Sequence, residues 1–245
     1  MINRNKLLLT LRHELRRVAD PEKAKSMQAY MKSEMRYLGV PAPQSDTVFK
    51  SVFAPLEFTD AAAWREAVLY IWRNARFREE RYGAIALARQ RRFAKYQTIE
   101  ALPMYEEMIV TGAWWDFVDT VAAHGVGGLL RNSNGPVART MRQWSRSPDR
   151  WKRRTSILCQ LTFKKDTDPK LLYACIEPSI GSPEFFLRKA IGWALRQYAR
   201  THPDDVYRYV VNNSTRLSPL SRREALKQLP PARSGAKRRG GGSRG

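Results

Sequence analysis

Two indoles and two carboxylates stand close together near the middle of this chain, in residues 114–119 (WWDFVD). If the segment is helical, Trp115 and Asp119 are four residues apart and share one face. A carboxylate on such a face is either neutralised by a neighbouring cation or available for chemistry. From spacing alone, an ion pair between Asp119 and an arginine is the commoner outcome.

Aromatic and basic residues also alternate in residues 150–154 (RWKRR) and 185–198 (FFLRKAIGWALRQY). Gly192 precedes Trp193 and lets another backbone or a ligand approach closely. Arg196 shares the helical face of Trp193. Singly, such tryptophans are usually core residues and such arginines are usually solvated. Together with residues 114–119, they predict a groove that clamps a sugar-phosphate backbone and holds one carboxylate against it.

The charge of the chain points to a polyanionic partner. Its 245 residues include 44 Lys and Arg against 23 Asp and Glu, which gives a net charge of +21 and a pI near 10.5. Such an excess favours nucleic acid or an anionic membrane surface. The alternative, a charge that serves solubility alone, is less favoured because it adds self-repulsion to the folded state. A hydrophobic content of 43% is enough to form a core.

Metal-binding motifs are absent from the sequence. It has two cysteines, Cys159 and Cys175, three histidines, and no CxxC, HExxH or Cys/His cluster. We expect both cysteines to be small buried residues in a reducing, cytoplasmic setting. No apolar run approaches the roughly 20 residues that span a bilayer, and residues 7–9 (LLL) are too short for a signal peptide.

Apolar residues recur at helical spacing, and no convincing period-two strand appears, so the chain is predicted to be all-α. Helix starts such as Asp20-Pro21 combine a capping side chain with a first-turn proline. Gly125, Gly127 and Gly128 are expected to end the helix that contains Asp119. The predicted helices cover residues 4–18, 20–37, 44–54, 60–74, 77–93, 99–110, 113–123, 136–144, 148–163, 169–180, 183–200, 203–212 and 219–228.

The order of these helices indicates a repeat architecture. From about residue 60, helix pairs begin roughly 35–45 residues apart, close to the HEAT/armadillo period. We prefer a right-handed superhelical solenoid of antiparallel helix pairs with a concave basic face over an irregular bundle, because stacking buries short-loop pairs most simply. The domain is expected to span residues 1–230. Residues 231–245 are expected to form a disordered basic tail that contacts phosphates or has no role.

In their order, the motifs resemble the HEAT-like-repeat DNA alkylation repair family, the AlkD-type DNA glycosylases. The WWDxxD and AIGW pieces are the most specific. The resemblance covers residues 21 to about 229 and rests on residues 21–24 (PEKA), Met27, 30–32 (YMK), 38–40 (LGV), 114–119, Arg154, 157–158 (IL), 185–186 (FF), 189–196 (KAIGWALR) and 217–225 (LSPLSRREA).

The resemblance implies a DNA repair glycosylase that hydrolyses the N-glycosidic bond of cationic N3- or N7-alkylated purines in duplex DNA, without flipping the base. Asp119 matches the catalytic acid of the family. Trp115 and Trp193 match two indoles that line the sugar and backbone of the lesion. A carboxylate near the sugar stabilises the positive charge of the transition state and orients water. Asp116 and Trp114 are then expected to be structural.

The resemblance also implies the residues that bind DNA. Arg154 matches an arginine that contacts phosphate, and Tyr30 matches an aromatic residue near the DNA, although its spacing also suits a core position. Arg196, which shares the helical face of Trp193, is also expected to bind DNA. Pro41 and Ala42 depart from the pattern, because a polar residue is expected in that loop.

By the same resemblance, the protein needs no metal or organic cofactor and acts as a monomer. Its expected partner is double-stranded DNA that contains alkylated purines, in the cytoplasm at the nucleoid and not at a membrane. A non-catalytic HEAT-like protein that binds damaged, distorted or branched DNA is the alternative, since a fold can change function. The presence of Asp119 with both indoles favours the enzyme, and the charge counts against a third class, a protein-binding scaffold.

Overall fold

Short polar side chains begin several helices. In each case a side-chain oxygen accepts hydrogen bonds from backbone N–H groups two or three residues further on, which satisfies donors that the first turn leaves free. The caps at Asp20, Asp60, Asp149, Asp168 and Ser218 all follow this pattern. The sequence predicts these helix starts to within a few residues.

A computed structural model describes residues 2–228 and contains fourteen α-helices. Within these residues no β-strand forms, and a single isolated bridge joins Arg36 to Phe77. The all-α prediction is therefore confirmed, whereas the predicted tail, residues 231–245, lies outside the described part. The helices are α1 (Arg4–Arg17), α2 (Pro21–Met31), α3 (Ala42–Phe53), α4 (Ala61–Asn74), α5 (Arg78–Ala88), α6 (Leu102–Gly112), α7 (Trp115–Thr120), α8 (Gly127–Asn132), α9 (Asn134–Trp144), α10 (Arg150–Leu158), α11 (Pro169–Ile176), α12 (Phe185–Ala199), α13 (Pro203–Asn212) and α14 (Pro219–Leu226).

Helix α2 ends earlier than predicted. The sequence predicts a helix to residue 37, but α2 ends at Met31 and Lys32 adopts a left-handed conformation with φ 48°. The backbone that follows contacts α5, where the buried carboxylate of Glu79 accepts hydrogen bonds from the N–H groups of residues 38–40. These bonds replace the helical ones. The sequence pattern also suggests Met35 for the apolar stripe of this helix, but Met35 lies beyond its end.

The glycines after α7 do not end the helix, and this prediction is wrong. The chain continues through a π-helical turn, Val121–Val126, into α8. A Cβ at Gly125 would lie 2.6 Å from the ring of Tyr105, and one at Gly127 would lie 2.6 Å from the carbonyl oxygen of Cys159. These glycines therefore allow close packing of a continuous helical segment.

Helix α10 occupies a central position. It packs against α6, α7, α9, α11 and α12. Two apolar clusters meet around it, one drawn from residues between Leu7 and Cys175 and the other from residues between Ala122 and Ala225. Cys159 and Cys175 are buried and free, as predicted. The side chains of Phe117 and Val118 on the short helix α7 are fully buried in the first of these clusters.

Across residues 2–228, none of the helices has the length and apolar character required to cross a membrane.

Candidate functional site

The segment with two indoles and two carboxylates folds as a sharp turn into a short helix. Ala113 ends α6 in a left-handed conformation with φ 44°. Trp114 is extended, and α7 begins at Trp115. Because α7 packs against α5, α6 and α10, both carboxylates point into the protein.

Asp119 forms a bidentate ion pair with Arg154 of α10. The guanidinium donates from Nε to Oδ1 at 2.6 Å and from Nη2 to Oδ2 at 2.7 Å. Nη1 donates to the backbone carbonyl of Phe186 at the start of α12. Asp119 is 8% exposed and Arg154 is 4% exposed, so the pair is held away from bulk water. Arg154 therefore joins α7, α10 and α12 at the carboxylate.

Burial and ion pairing act on Asp119 in opposite directions. Removal from water raises the pKa of the Asp119 carboxyl, because burial penalises the charged form. The hydrogen bonds and the positive charge of Arg154 oppose that rise, and the charge of Asp116 adds to it. The ionised state of Asp119 consequently depends on Arg154.

Asp116 is the structural carboxylate, in agreement with its expected role. Nη2 of Arg78 lies 2.6 Å from each of its oxygens, and the hydroxyl of Tyr82 donates to it at 2.5 Å. Tyr82 shares a further hydrogen bond with Tyr37, and the guanidinium of Arg78 lies 4.1 Å from the ring centroid of Phe117. This network joins α5 to α7 and gives Asp116 no free role.

The four aromatic residues for which the sequence predicts a role lie in different surroundings. Trp114 packs against Trp151 and Phe186, with ring centroids 6.3 and 5.7 Å apart, which matches its expected structural role. Trp115 is half-buried against the first apolar cluster, and Trp193 is half-buried against the second. Tyr30 is 79% exposed, so the core position that its spacing also allowed is wrong.

Arg196 is held by α14. It pairs with Glu224, which Lys189 also contacts at 3.2 Å. Gly192 permits this arrangement, because a Cβ there would lie 2.5 Å from Cβ of Glu224 and 3.0 Å from the carbonyl oxygen of Ser221. The sequence predicts a close approach at Gly192, and the partner is a helix of the same chain. The predicted contact between Arg196 and DNA stays a prediction.

A cavity that the sequence does not reveal lies beside Trp115. It has a volume of about 460 Å³, is open to solvent on one side, and is lined by residues of α2, α3, α5 and α7. Trp115, Asp116 and Thr120 line it from α7, and Tyr30 lines it from α2. The structure therefore brings Tyr30 and Trp115 to one cavity. The apolar stripe of α2 (Met27, Tyr30 and Met31) is the sequence signal for it, but the same spacing is typical of a core.

Among residues 2–228, no three His, Cys, Asp or Glu side chains come together in a group that could hold a metal ion.

Comparisons with known proteins assign the chain to a family. The sequence profile of the family described as DNA alkylation repair enzyme matches residues 11–229, nearly the whole chain. The chain belongs to this family. A solved structure described as a predicted DNA alkylation repair enzyme from Enterococcus faecalis is 29% identical, with a TM-score of 0.76, over 87% of this chain and 98% of that chain. No curated protein matches the chain significantly.

Membership of the DNA alkylation repair family confirms the resemblance seen in the motifs. It identifies the protein as a member of a family of repair enzymes and implies a DNA substrate.

Proposed function

We propose that this member of the DNA alkylation repair family is a DNA glycosylase that releases cationic N3- or N7-alkylated purines from duplex DNA. The observation that carries the proposal is the buried carboxylate of Asp119, which a bidentate pair with Arg154 holds on α7, the helix that begins with Trp115. Asp119, Trp115 and Trp193 are the proposed catalytic residues, and Arg154, Arg196 and Tyr30 are the proposed DNA contacts.

Electrostatics explains why a buried carboxylate suits this reaction. An alkylated purine is cationic and leaves readily, and positive charge then develops on the deoxyribose. A preorganised carboxylate in a site of low dielectric stabilises such charge more strongly than water does. Each carboxylate oxygen has two acceptor positions, and Arg154 occupies one on each. In this proposal the remaining positions orient the attacking water or face the sugar.

Arg154 has a second task in this proposal. Its three nitrogen atoms donate to Asp119 and to Phe186, which uses three of the five N–H groups of a guanidinium. We assign the other two N–H groups to the proposed phosphate contact, which requires DNA to approach a guanidinium that is 4% exposed. The positive charge that develops on the deoxyribose would then lie between two anions, Asp119 and the phosphate that Arg154 binds.

We further propose that the helices stack as HEAT-like pairs with a basic concave face. Contacts between helices that are close in sequence support the stack, for example α4 with α5, α9 with α10 and α12 with α13. The net charge of +21 supports a face that binds phosphates. Backbone contacts of this kind suit excision without base flipping, by a monomer.

The test is base release from duplex DNA that contains N7-methylguanine. We expect the wild type to release the base, and Asp119→Asn to lose at least about a hundredfold in rate while it still binds DNA. Asp166→Asn, at an exposed aspartate, makes the same chemical change and is the control. If the wild type releases no alkylated purine, the glycosylase proposal is wrong.

A non-catalytic DNA-binding protein is the second candidate. One observation favours it: the Asp119 carboxylate is already paired with Arg154 and is only 8% exposed. Tight binding of alkylated duplex by both the wild type and Asp119→Asn, with no base release by either, would establish that alternative.

A further inference from the structure

The cavity beside Trp115 has the size and walls of a ligand site. Its volume of about 460 Å³ falls within the range of roughly 300–1,000 Å³ that is typical of small-molecule pockets. Aromatic and thioether side chains form much of its wall. They include Met27, Tyr30, Met31, Phe49, Tyr82 and Trp115.

Helix α2 covers this cavity, and Met31 at its end is its one buried residue. None of its residues belongs to either apolar cluster of the described chain. It is held near its ends by polar contacts, from the N–H of Asp20 to the carbonyl of Leu38 at 3.0 Å and from Arg78 to Ser33 at 3.0 Å. The apolar side of α2 therefore faces a space, and Tyr30 at its rim is 79% exposed. Apolar surface left in this way is typical of a binding site.

Two exposed polar side chains also line the cavity, Asp46 from α3 and Arg89 from the end of α5. Within residues 2–228 neither side chain forms a hydrogen bond or a close ion pair, although the negative charge of Asp46 acts on Arg89 and opposes the lowering of its pKa by partial removal from water. In contrast, Asp116 and Tyr82 bind each other in the cavity wall. Asp46 and Arg89 thus offer one acceptor and one donor whose charges balance. Such a pair suits an uncharged ligand with both a donor and an acceptor on its edge.

We propose that this cavity binds an uncharged planar nitrogen heterocycle of the nucleobase kind. The aromatic walls stack on its faces, Asp46 accepts a hydrogen bond from an exocyclic amine, and Arg89 donates one to a ring nitrogen. Adenine presents such a pair, an amine donor beside an N7 acceptor. Stacking between aromatic side chains together with contacts to a base edge is how proteins hold a base outside the helix.

The ligand has two possible sources, a free molecule in solution and a base that leaves the DNA stack. The first source does not depend on the proposed glycosylase activity, and the second rests only on DNA binding. A base in this cavity need not be the alkylated one, so excision from the backbone side is compatible with it.

Free adenine is the first probe, titrated into the full-length protein by calorimetry. We expect binding by the wild type, binding about tenfold weaker in Arg89→Ala, and none in Ala86→Phe, because the added ring fills the cavity that Ala86 lines. Arg91→Ala is the matched control, since Arg91 is exposed and does not line the cavity. Circular dichroism shows whether each variant folds, and Arg89→Ala keeps the test valid if Ala86→Phe does not.

Duplex DNA with 2-aminopurine at successive positions is the second probe. A fluorescence change that the wild type and Arg91→Ala give, and that Arg89→Ala and Ala86→Phe lose, places the source in DNA. Adenine binding without that change makes the ligand a free molecule. No adenine binding and no fluorescence change, or responses equal in all variants, would overturn the proposal. Base release from N7-methylguanine DNA, measured on the same protein, tests the glycosylase separately.

Discussion

Asp119 and Arg154 show how far residue-level reasoning reaches. The motifs single out both residues, and spacing predicts that an arginine pairs with Asp119. Which arginine it is does not follow from the sequence, because the two residues are 35 positions apart and meet only where α7 packs on α10. Phosphate groups and carboxylates are bound by the same guanidinium donors. The sequence alone thus could not separate a DNA contact from an internal ion pair.

The pH dependence of base release follows from that pair. Asp119 acts as a carboxylate, so activity falls as the pH falls through its pKa. Because burial raises the pKa of Asp119, we expect the acid limb to lie above the ordinary aspartate value of about 3.9. Arg154→Gln removes the opposing cation and should move the limb to higher pH. Single-turnover release of N7-methylguanine, corrected for spontaneous loss without protein, measures the acid limb of the wild type and of Arg154→Gln.

Arg153→Gln is the control for this experiment, since it makes the same change in charge on the same helix. Its acid limb should coincide with that of the wild type. An unshifted limb in folded Arg154→Gln would mean that a group other than Asp119 sets the pH dependence.

At the scale of helices, capping residues predict helix boundaries better than glycines do. An aspartate cap identifies its helix start because the bond it makes is local, two or three residues away. Gly125 and Gly127 mislead, since a glycine that breaks a helix and a glycine that admits a neighbouring ring look alike in sequence. The cavity is hidden for a similar reason. The stripe of α2 predicts an apolar face but not whether that face meets a core or a space.

Glu79 positions α2 and the cavity through the backbone of residues 38–40. Its carboxylate accepts hydrogen bonds from three successive N–H groups in the interior. Glu79→Gln keeps the size but leaves one amide group with no acceptor, so we expect the free energy of unfolding to fall by about 1–3 kcal/mol. Urea denaturation at pH 7 measures it. Glu57→Gln, at an exposed glutamate, should change stability little, and equal effects of the two variants would contradict this role for Glu79.

The crossing of α12 and α14 depends on Gly192. A Cβ at this position would meet Glu224 and Ser221, so we expect Gly192→Ala to destabilise the protein by about 1–3 kcal/mol. Gly128→Ala is the matched control, because nothing lies within 4 Å of its added Cβ and alanine is the better helix former. That variant should be neutral or slightly more stable. Thermal unfolding of both variants decides the point, and a stable Gly192→Ala would show that α14 can move away.

At the scale of the whole molecule, the excess positive charge follows directly from the composition and predicts a polyanionic partner. Several acids are engaged with internal cations, such as Asp116 with Arg78, Asp119 with Arg154 and Glu224 with Arg196. They reduce local repulsion without removing the net charge of +21. A surplus of this size acts at long range on a polyanion and gives affinity that does not depend on sequence.

Salt dependence tests that surplus and the proposed role of Arg154 together. We expect the logarithm of the affinity for duplex DNA to fall linearly with the logarithm of the salt concentration, because each phosphate contact releases counterions and contributes roughly −0.9 to the slope. If Arg154 contacts a phosphate through its two remaining N–H groups, Arg154→Gln should reduce the slope by roughly 0.9. Lys170→Gln controls for the loss of one charge at an exposed helical position. A slope in Arg154→Gln that equals that of Lys170→Gln would assign Arg154 to the positioning of Asp119 alone, and affinity unaffected by salt would contradict a face that binds the DNA backbone.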